Sequence, residues 1–361
     1  MEKPILAAML SVGGTELSDK EKLLLEKGNP LGITLFGKNI KSKKQIKKLI
    51  SEIKSVIGRD DVLIAVDQEG GRVRRLIEPE FRSYAAQIEL GRLEYELDEK
   101  TAEKAIVYHT KLISQDLIET GFNWNYAPVL DVAYPTTSAA LKSRCFGKNE
   151  KRISKYGKLM IDEYQNQGIC PCIKHLPGHG RANIDPHLGL PIINSNLKEL
   201  EKDFYPFITN NNAPAGMTAH IKIPAIDEVF PITQSAKGID VIIRGIIGFK
   251  GFLISDSINM QALSGTIIER AQQSINAGCD AVCYCMGQES ELEQLVDWGQ
   301  VLSDDAMNRF TKIKNIIKKK KTLNNLDKLA NDYQSIIGKI EKYNDNYDAT
   351  EVLRQMKEIK N

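Results

Sequence analysis

The chain has 361 residues, enough for one large domain or two ordinary ones with a substantial buried core. With 42% hydrophobic and 27% charged residues it has a globular composition, which excludes disorder as its main state. Lys and Arg number 49 against 47 Asp and Glu, so a net charge of +2 supplies no chain-wide field for nucleic acid or anionic lipid, and neither is expected as a partner.

No apolar run approaches the roughly 20 residues of a membrane helix, and Ile5–Leu10 is too short for the core of an export signal, which predicts a cytoplasmic protein. Six cysteines (Cys145, Cys170, Cys172, Cys279, Cys283 and Cys285) are too sparse for a disulfide scaffold and form no Cys-x-x-Cys zinc pattern. They read as reduced core residues.

In chain order, short apolar runs occur at Ile5–Leu10, Gly32–Phe36, Val62–Asp67, Trp124–Asp131, Ile169–His175, Gly216–Ile221, Phe252–Asp256 and Ala281–Met286. Longer segments of helical period separate them, among them Lys44–Ile57 and Glu99–Thr120, with apolar residues at three- and four-residue steps. Parallel strands joined by crossover helices produce this alternation, and eight units predict an α/β fold, a closed (β/α)8 TIM-type barrel, over residues 1–290. The rival, an open doubly wound sheet, usually carries a Gly-rich phosphate turn after an early strand, and the sequence has none. Residues 291–361 read as a helical C-terminal extension, in which Lys318–Lys321 is a solvated helix end rather than a polyanion patch.

Functional side chains of a barrel gather where its strands end. Here the apolar runs lead into Asp67-Gln-Glu-Gly-Gly-Arg72-Val-Arg74-Arg75, Asn125 to Asp131, Lys174-His175-Leu-Pro-Gly-His179, Met217-Thr-Ala-His220 and Ser255-Asp256. Carboxylates (Asp67, Asp131, Asp256) and cations (Arg75, Arg144, Lys174) are mixed rather than segregated, which suits a neutral ligand rich in hydroxyls, such as a sugar. Each residue alone reads equally as an ion pair stiffening the rim; five strand ends converging on one rim mark a site. The pair His175 and His179 has a metal-like spacing, but Pro177 breaks the helix that spacing needs, and neither metal nor cofactor is expected.

Val66-Asp67-Gln68-Glu69-Gly70-Gly71-Arg72-Val73, Ala127 to Val132, Arg144-Cys145-Phe146-Gly147, Lys174-His175-Leu176-Pro177-Gly178-His179-Gly180, Ala219-His220-Ile221 and Ser255-Asp256 together resemble glycoside hydrolase family 3, and more narrowly its single-domain bacterial β-N-acetylglucosaminidases. The resemblance implies a retaining exo-glycosidase that removes terminal β-linked N-acetylglucosamine. It makes Asp256 the nucleophile and Asp185-Pro186-His187 the acid/base dyad, with His187 the proton donor. It further implies sugar contacts from Asp67, Arg75, Arg144, Lys174 and His175, and a pocket-wall position for His220. His179, between Gly178 and Gly180, reads as shaping its loop.

The sequence departs from the family pattern at Leu176 (usually Phe), Arg181-Ala182 (usually Asp-Thr) and Pro186 (usually Ser), which bears on the catalytic loop and not on the nucleophile. With a cytoplasmic setting, the implied substrates are imported cell-wall fragments, N-acetylglucosaminyl-anhydromuramyl peptides. Two rival readings are a phosphorylase, since a His acid/base does not repel phosphate as a carboxylate does, and a catalytically silent sugar-binding barrel.

Overall fold

The computed structural model describes residues 3–344. Eight parallel strands, β1 (Leu6–Leu10), β2 (Pro30–Thr34), β3 (Leu63–Val66), β4 (Trp124–Asn125), β5 (Cys170–Leu176), β6 (Ala215–Thr218), β7 (Phe252–Ser257) and β8 (Ala281–Cys283), close into a barrel in sequence order, β8 pairing back to β1. The expected TIM-type architecture is therefore present.

Strand periodicity divides the core in two. Alternate residues such as Ala7, Met9, Leu63, Ala65, Trp124, Cys170, Cys172, Phe252 and Ile254 fill the barrel interior, while their neighbours Ala8, Leu10, Ile64, Val66, Ile173 and Leu253 face the helices. Burial on both faces explains why these strands read as continuous apolar runs. The helices follow the local rules. In Lys43–Ile57, Ile46, Leu49, Ile50, Ile53 and Ile57 are buried, the Ser42 side chain accepts the Gln45 N–H at the start, and Gly58 at φ 73° ends it.

The regular ladder of β4 covers only Trp124–Asn125, shorter than the run ending at Asp131. Pro128 has no N–H to donate, so pairing is interrupted there. The chain still follows β5, because Leu130 N–H donates to the Lys174 carbonyl at 2.8 Å, and Asp131 arrives at the rim.

Among the described residues, three helices follow β8: Glu289–Trp298, Asp304–Ile317 and Leu326–Ile337. A division between residues 290 and 291 falls inside the first of these, which packs beside the helix Asp19–Gly28 after β1, as the eighth crossover helix of a barrel does. The second crosses the N-terminal mouth. Its Ala306, Phe310, Ile313 and Ile317 join Ile5, Trp124 and Phe252 in the interior cluster, so that end is filled with hydrocarbon. Lys318–Lys321 are exposed at the end of this helix, as expected of a solvated terminus. Residues 345–361 of the expected extension lie outside the described residues. Among those described, no helix is long and apolar enough to cross a membrane, and the six cysteines are free, five of them buried.

Candidate active site

The segment after β3 supplies two carboxylates that face one another's cations. Lys174, at the end of β5, places Nζ 2.7 Å from Asp67 Oδ1 and 2.6 Å from Glu69 Oε1. Arg144 grips Glu69 through Nε at 2.9 Å and Nη2 at 2.8 Å, a bidentate fork. Arg75 Nη2 stands 3.7 Å from Asp67 Oδ2, and its Nε is buried with no partner within the protein. Gly70 and Gly71, both at positive φ, make the turn behind Glu69 possible; a Cβ on Gly70 would strike the Ala85 carbonyl. His109 Nε2–H supports the same turn from the Glu99–Thr120 helix by donating to the Glu69 carbonyl at 3.2 Å, while Tyr333 holds its other nitrogen at 3.0 Å.

Burial alone would favour the neutral form of Glu69, but Arg144 and Lys174 hold its carboxyl well below the usual range, so it is a fixed negative charge. Glu69→Gln leaves the buried Lys174 and the half-buried Arg144 without that charge. It is expected to cost about 3–5 kcal/mol, read as a lower urea midpoint.

Asp131 is fully buried and organises the second layer of the rim. Its Oδ2 accepts His175 Nδ1–H at 2.7 Å and its Oδ1 accepts the His179 backbone N–H at 2.6 Å. Burial opposes its ionisation, yet His175 beside it keeps the carboxyl below its ordinary value. The His175 Nε2 edge turns towards Arg144, 3.5 Å from Nη2. His179 packs its ring edge-on against His175, 5.7 Å between centroids, with neither ring nitrogen hydrogen-bonded to protein. Burial, then His175, push its basicity down to about 4. The two flanking glycines fit a tight loop: a Cβ on Gly180 would collide with the Val132 carbonyl.

Asp256 ends β7 and is partly open to solvent, with Oδ1 accepting the Ser257 N–H at 2.7 Å. Burial disfavours its charged form, but His220, His175, the Ser257 N–H and His187 together hold the carboxyl below its ordinary value of 3.8. It is therefore an anion at neutral pH. His220 is fully buried and spends both ring nitrogens on protein: Nε2–H donates to the Ser257 carbonyl at 3.0 Å and Nδ1 meets Thr233 Oγ1 at 2.8 Å. Both ring nitrogens of His220 are thus engaged within the protein, and the side chain braces the backbone beside Asp256.

On the loop after β5, His187 Nδ1 lies 2.8 Å from Asp185 Oδ1, which also accepts the His187 backbone N–H at 2.9 Å. The His187 side chain keeps 44% of its surface exposed while Asp185 keeps 10%, so the carboxylate is the sheltered partner and the imidazole the accessible one. Burial works against protonation of His187, but Asp185, then Asp256, raise its basicity above 6.5. The Pro186 carbonyl beside His187 accepts the Ala262 N–H at 3.2 Å, which ties this loop to the segment that follows β7. Arg181 lies at the root of this loop, where it pairs with Asp203 at 2.7 Å, donates to Tyr134 OH at 3.1 Å and stacks 4.5 Å over the Tyr134 ring.

Residues 5–316 match the glycosyl hydrolase family 3 N-terminal domain. The chain belongs to glycosyl hydrolase family 3. It is accordingly a glycoside hydrolase, as the resemblance of its motifs implied. It is 30% identical over 282 residues to the beta-hexosaminidase of Bordetella avium, covering 77% of this chain and 79% of that protein. To the beta-hexosaminidase of Neisseria gonorrhoeae it is 34% identical, covering 77% of each. The crystal structure of NagZ from Neisseria gonorrhoeae in complex with N-trifluoroacetyl-D-glucosamine superposes with a TM-score of 0.82 at 30% identity, over 93% of this chain and 98% of that one.

In this member of family 3, Asp67, Arg75, Arg144, Lys174 and His175 form one connected network, with Asp256 and the His187 loop beside it. Glu69 has no role implied by its motif, although it is the residue that joins Arg144 to Lys174. Its signal was the two-residue step from Asp67, which puts two carboxylates at one strand end; its cations lie 75 and 105 residues further on. Asp131, expected as a rim carboxylate, is also the group that aims His175.

Proposed function

We propose that this family 3 glycoside hydrolase, a β-N-acetylhexosaminidase, is a retaining exo-enzyme that releases terminal β-linked N-acetylglucosamine, with Asp256 as nucleophile and the His187–Asp185 pair as acid/base. The observation that carries the reading is an accessible imidazole held by a sheltered carboxylate, on a loop that is hydrogen-bonded through Pro186 to the segment following the Asp256 carboxylate of β7. With Nδ1–H engaged by Asp185, Nε2 is the nitrogen free to exchange a proton with substrate.

In the first step the Asp256 carboxylate attacks the anomeric carbon. The bond to the leaving oxygen breaks, and that oxygen takes the proton from His187 Nε2. In the second, neutral His187 takes a proton from water, the water oxygen bonds to the anomeric carbon, and the ester to Asp256 cleaves. Asp67, Arg75, Lys174, Arg144 and His175 supply acceptors and donors for the ring hydroxyls and the acetamido group. Because Asp67 and Lys174 already pair in a fixed geometry, little reorganisation is needed when a sugar binds.

The relatives' activity and the NagZ complex support N-acetylglucosamine as the sugar. For the aglycone we propose anhydromuramyl peptides from imported cell-wall fragments, which goes with a cytoplasmic setting; recovery of the protein from the culture medium contradicts it. The test is incubation with 4-nitrophenyl N-acetyl-β-glucosaminide and the matching glucoside, with and without phosphate. Free N-acetylglucosamine, formed at a rate indifferent to phosphate and much faster than glucose, is expected. Sugar 1-phosphate would establish phosphorolysis instead, and binding without turnover a silent barrel.

The dyad also sets a pH profile. His187 must be protonated and Asp256 ionised in the free enzyme, so kcat/KM falls on the alkaline side through the raised His187 value, above 6.5, and on the acid side below 3.8. Asp185→Asn removes the group that raises His187, and is expected to move the alkaline limb to lower pH while the acid limb stays. An unmoved alkaline limb excludes Asp185 from the dyad.

A further inference from the structure

The helix Leu326–Ile337 lies outside the barrel, packed on the helix Glu99–Thr120, and buries Tyr333 and Ile336. The barrel closes without it. Ile336 contributes hydrocarbon alone, whereas Tyr333 also carries a hydroxyl into a fully buried place, which costs stability unless that hydroxyl is hydrogen-bonded. We propose that Tyr333 is a positioning residue for sugar binding, acting through His109 on the turn that aims Glu69 at Arg144 and Lys174. That role rests on the binding of sugar by Arg144 and Lys174 proposed above.

The two ends of the hydrogen-bond chain force the direction of every link. The Ala85 N–H can only donate, so the Tyr333 oxygen accepts it, at 3.0 Å. The Glu69 carbonyl can only accept, so His109 carries its proton on Nε2, 3.2 Å away. Burial pushes the basicity of His109 down to about 4, so the ring is neutral at pH 7 and Nδ1 is bare. The Tyr333 hydroxyl therefore donates to Nδ1, at 3.0 Å. One oxygen thus joins two residues that precede it by 224 and 248 positions, His109 and Ala85.

The Glu69 turn depends on such outside supports, because Gly70 and Gly71, at φ 106° and 57°, have no side chains to hold it. The Val73 carbonyl accepts the Glu69 N–H at 2.9 Å, and the Tyr84 carbonyl accepts the Gly71 N–H at 2.9 Å. His109 takes the Glu69 carbonyl. Two of these three supports meet at Tyr333: His109 directly, and the Tyr84–Ala85 segment through the Ala85 N–H. The Ala85 carbonyl and the His109 ring are also what a Cβ on Gly70 would meet first, so both press on the turn itself. A turn displaced there moves the Glu69 carboxylate, and with it Lys174, whose Nζ lies 2.6 Å from Oε1, and the Arg144 fork. Tyr333→Phe keeps the buried ring and leaves Nδ1 and the Ala85 N–H without their partner.

The test reads the dissociation constant of N-acetylglucosamine by calorimetry, and kcat and KM on the 4-nitrophenyl glycoside, for Tyr333→Phe, His109→Gln, the double variant and Ile336→Ala. Tyr333→Phe is expected to raise the dissociation constant and KM about fivefold, the scale of one neutral hydrogen bond. Its kcat should change less than about twofold, because Asp256 and His187 are untouched. The double variant should bind no more weakly than His109→Gln alone, since the hydroxyl acts through the imidazole. Ile336→Ala opens a cavity under the same helix and keeps the hydroxyl, so it should lower the urea midpoint and leave affinity as it is. Unchanged affinity in Tyr333→Phe, an equal loss of affinity in Ile336→Ala, or additive losses in the double variant overturn the proposal and leave the proposed function standing. Failure of the wild-type protein to bind N-acetylglucosamine overturns both.

Discussion

Asp256→Ala is expected to lower kcat on 4-nitrophenyl N-acetyl-β-glucosaminide by on the order of 10⁴-fold or more, the scale of removing a nucleophile, with the fold intact. The physical basis is the position of the carboxylate at the end of β7: one oxygen is fixed by the Ser257 N–H and the histidines around it keep it ionised. Its substitution removes no buried ion pair, because its partner is a backbone N–H at the rim, so stability should change little and N-acetylglucosamine should still bind. That separates it from Glu69→Gln, which should damage both. A variant that retains near-normal turnover eliminates Asp256 as nucleophile.

His187→Ala should behave differently with different leaving groups. A general acid contributes roughly 10²- to 10⁴-fold, and its value grows with the basicity of the departing oxygen. On a disaccharide, kcat/KM should fall by that amount; on a dinitrophenyl glycoside, whose oxygen departs without a proton, it should fall by less than about tenfold. The same imidazole activates water in the second step, so kcat on the dinitrophenyl substrate should fall too, with a burst of released phenol as the glycosyl-enzyme accumulates. Losses in kcat/KM that are equal for both leaving groups, without a burst, indicate a structural role for His187.

The barrel was legible because its strands are buried on both faces, so each stands out as an apolar run, and because helices such as Lys43–Ile57 bury one face only. Strand ends were less legible. Pro128 halts the β4 ladder without diverting the chain, so a run that looks like one strand becomes a short ladder and an extended tail. Rim residues at strand ends were readable one by one, because a charged residue directly after an apolar run has nowhere else to be.

Pairings across the chain were not readable. Nothing local in Met217-Thr-Ala-His220 shows that Thr233 and the Ser257 carbonyl engage both imidazole nitrogens, so that the side chain braces the backbone beside Asp256. In the same way Arg181, a departure from the family pattern beside the loop bearing His187, adds no free cation there, because Asp203 and Tyr134 on other segments take it up. Tertiary partners, and not residue type, decided those roles.

The central claim is a covalent bond between the sugar and Asp256. Its most direct measurement is peptide mapping by mass spectrometry after brief reaction with an activated fluorinated N-acetylglucosaminyl fluoride, which slows release of the second step. The account predicts one added glycosyl unit on the peptide containing Asp256. A label on the peptide of Asp67, Glu69 or Asp131, or rapid turnover with inverted anomeric configuration and no adduct, would contradict it.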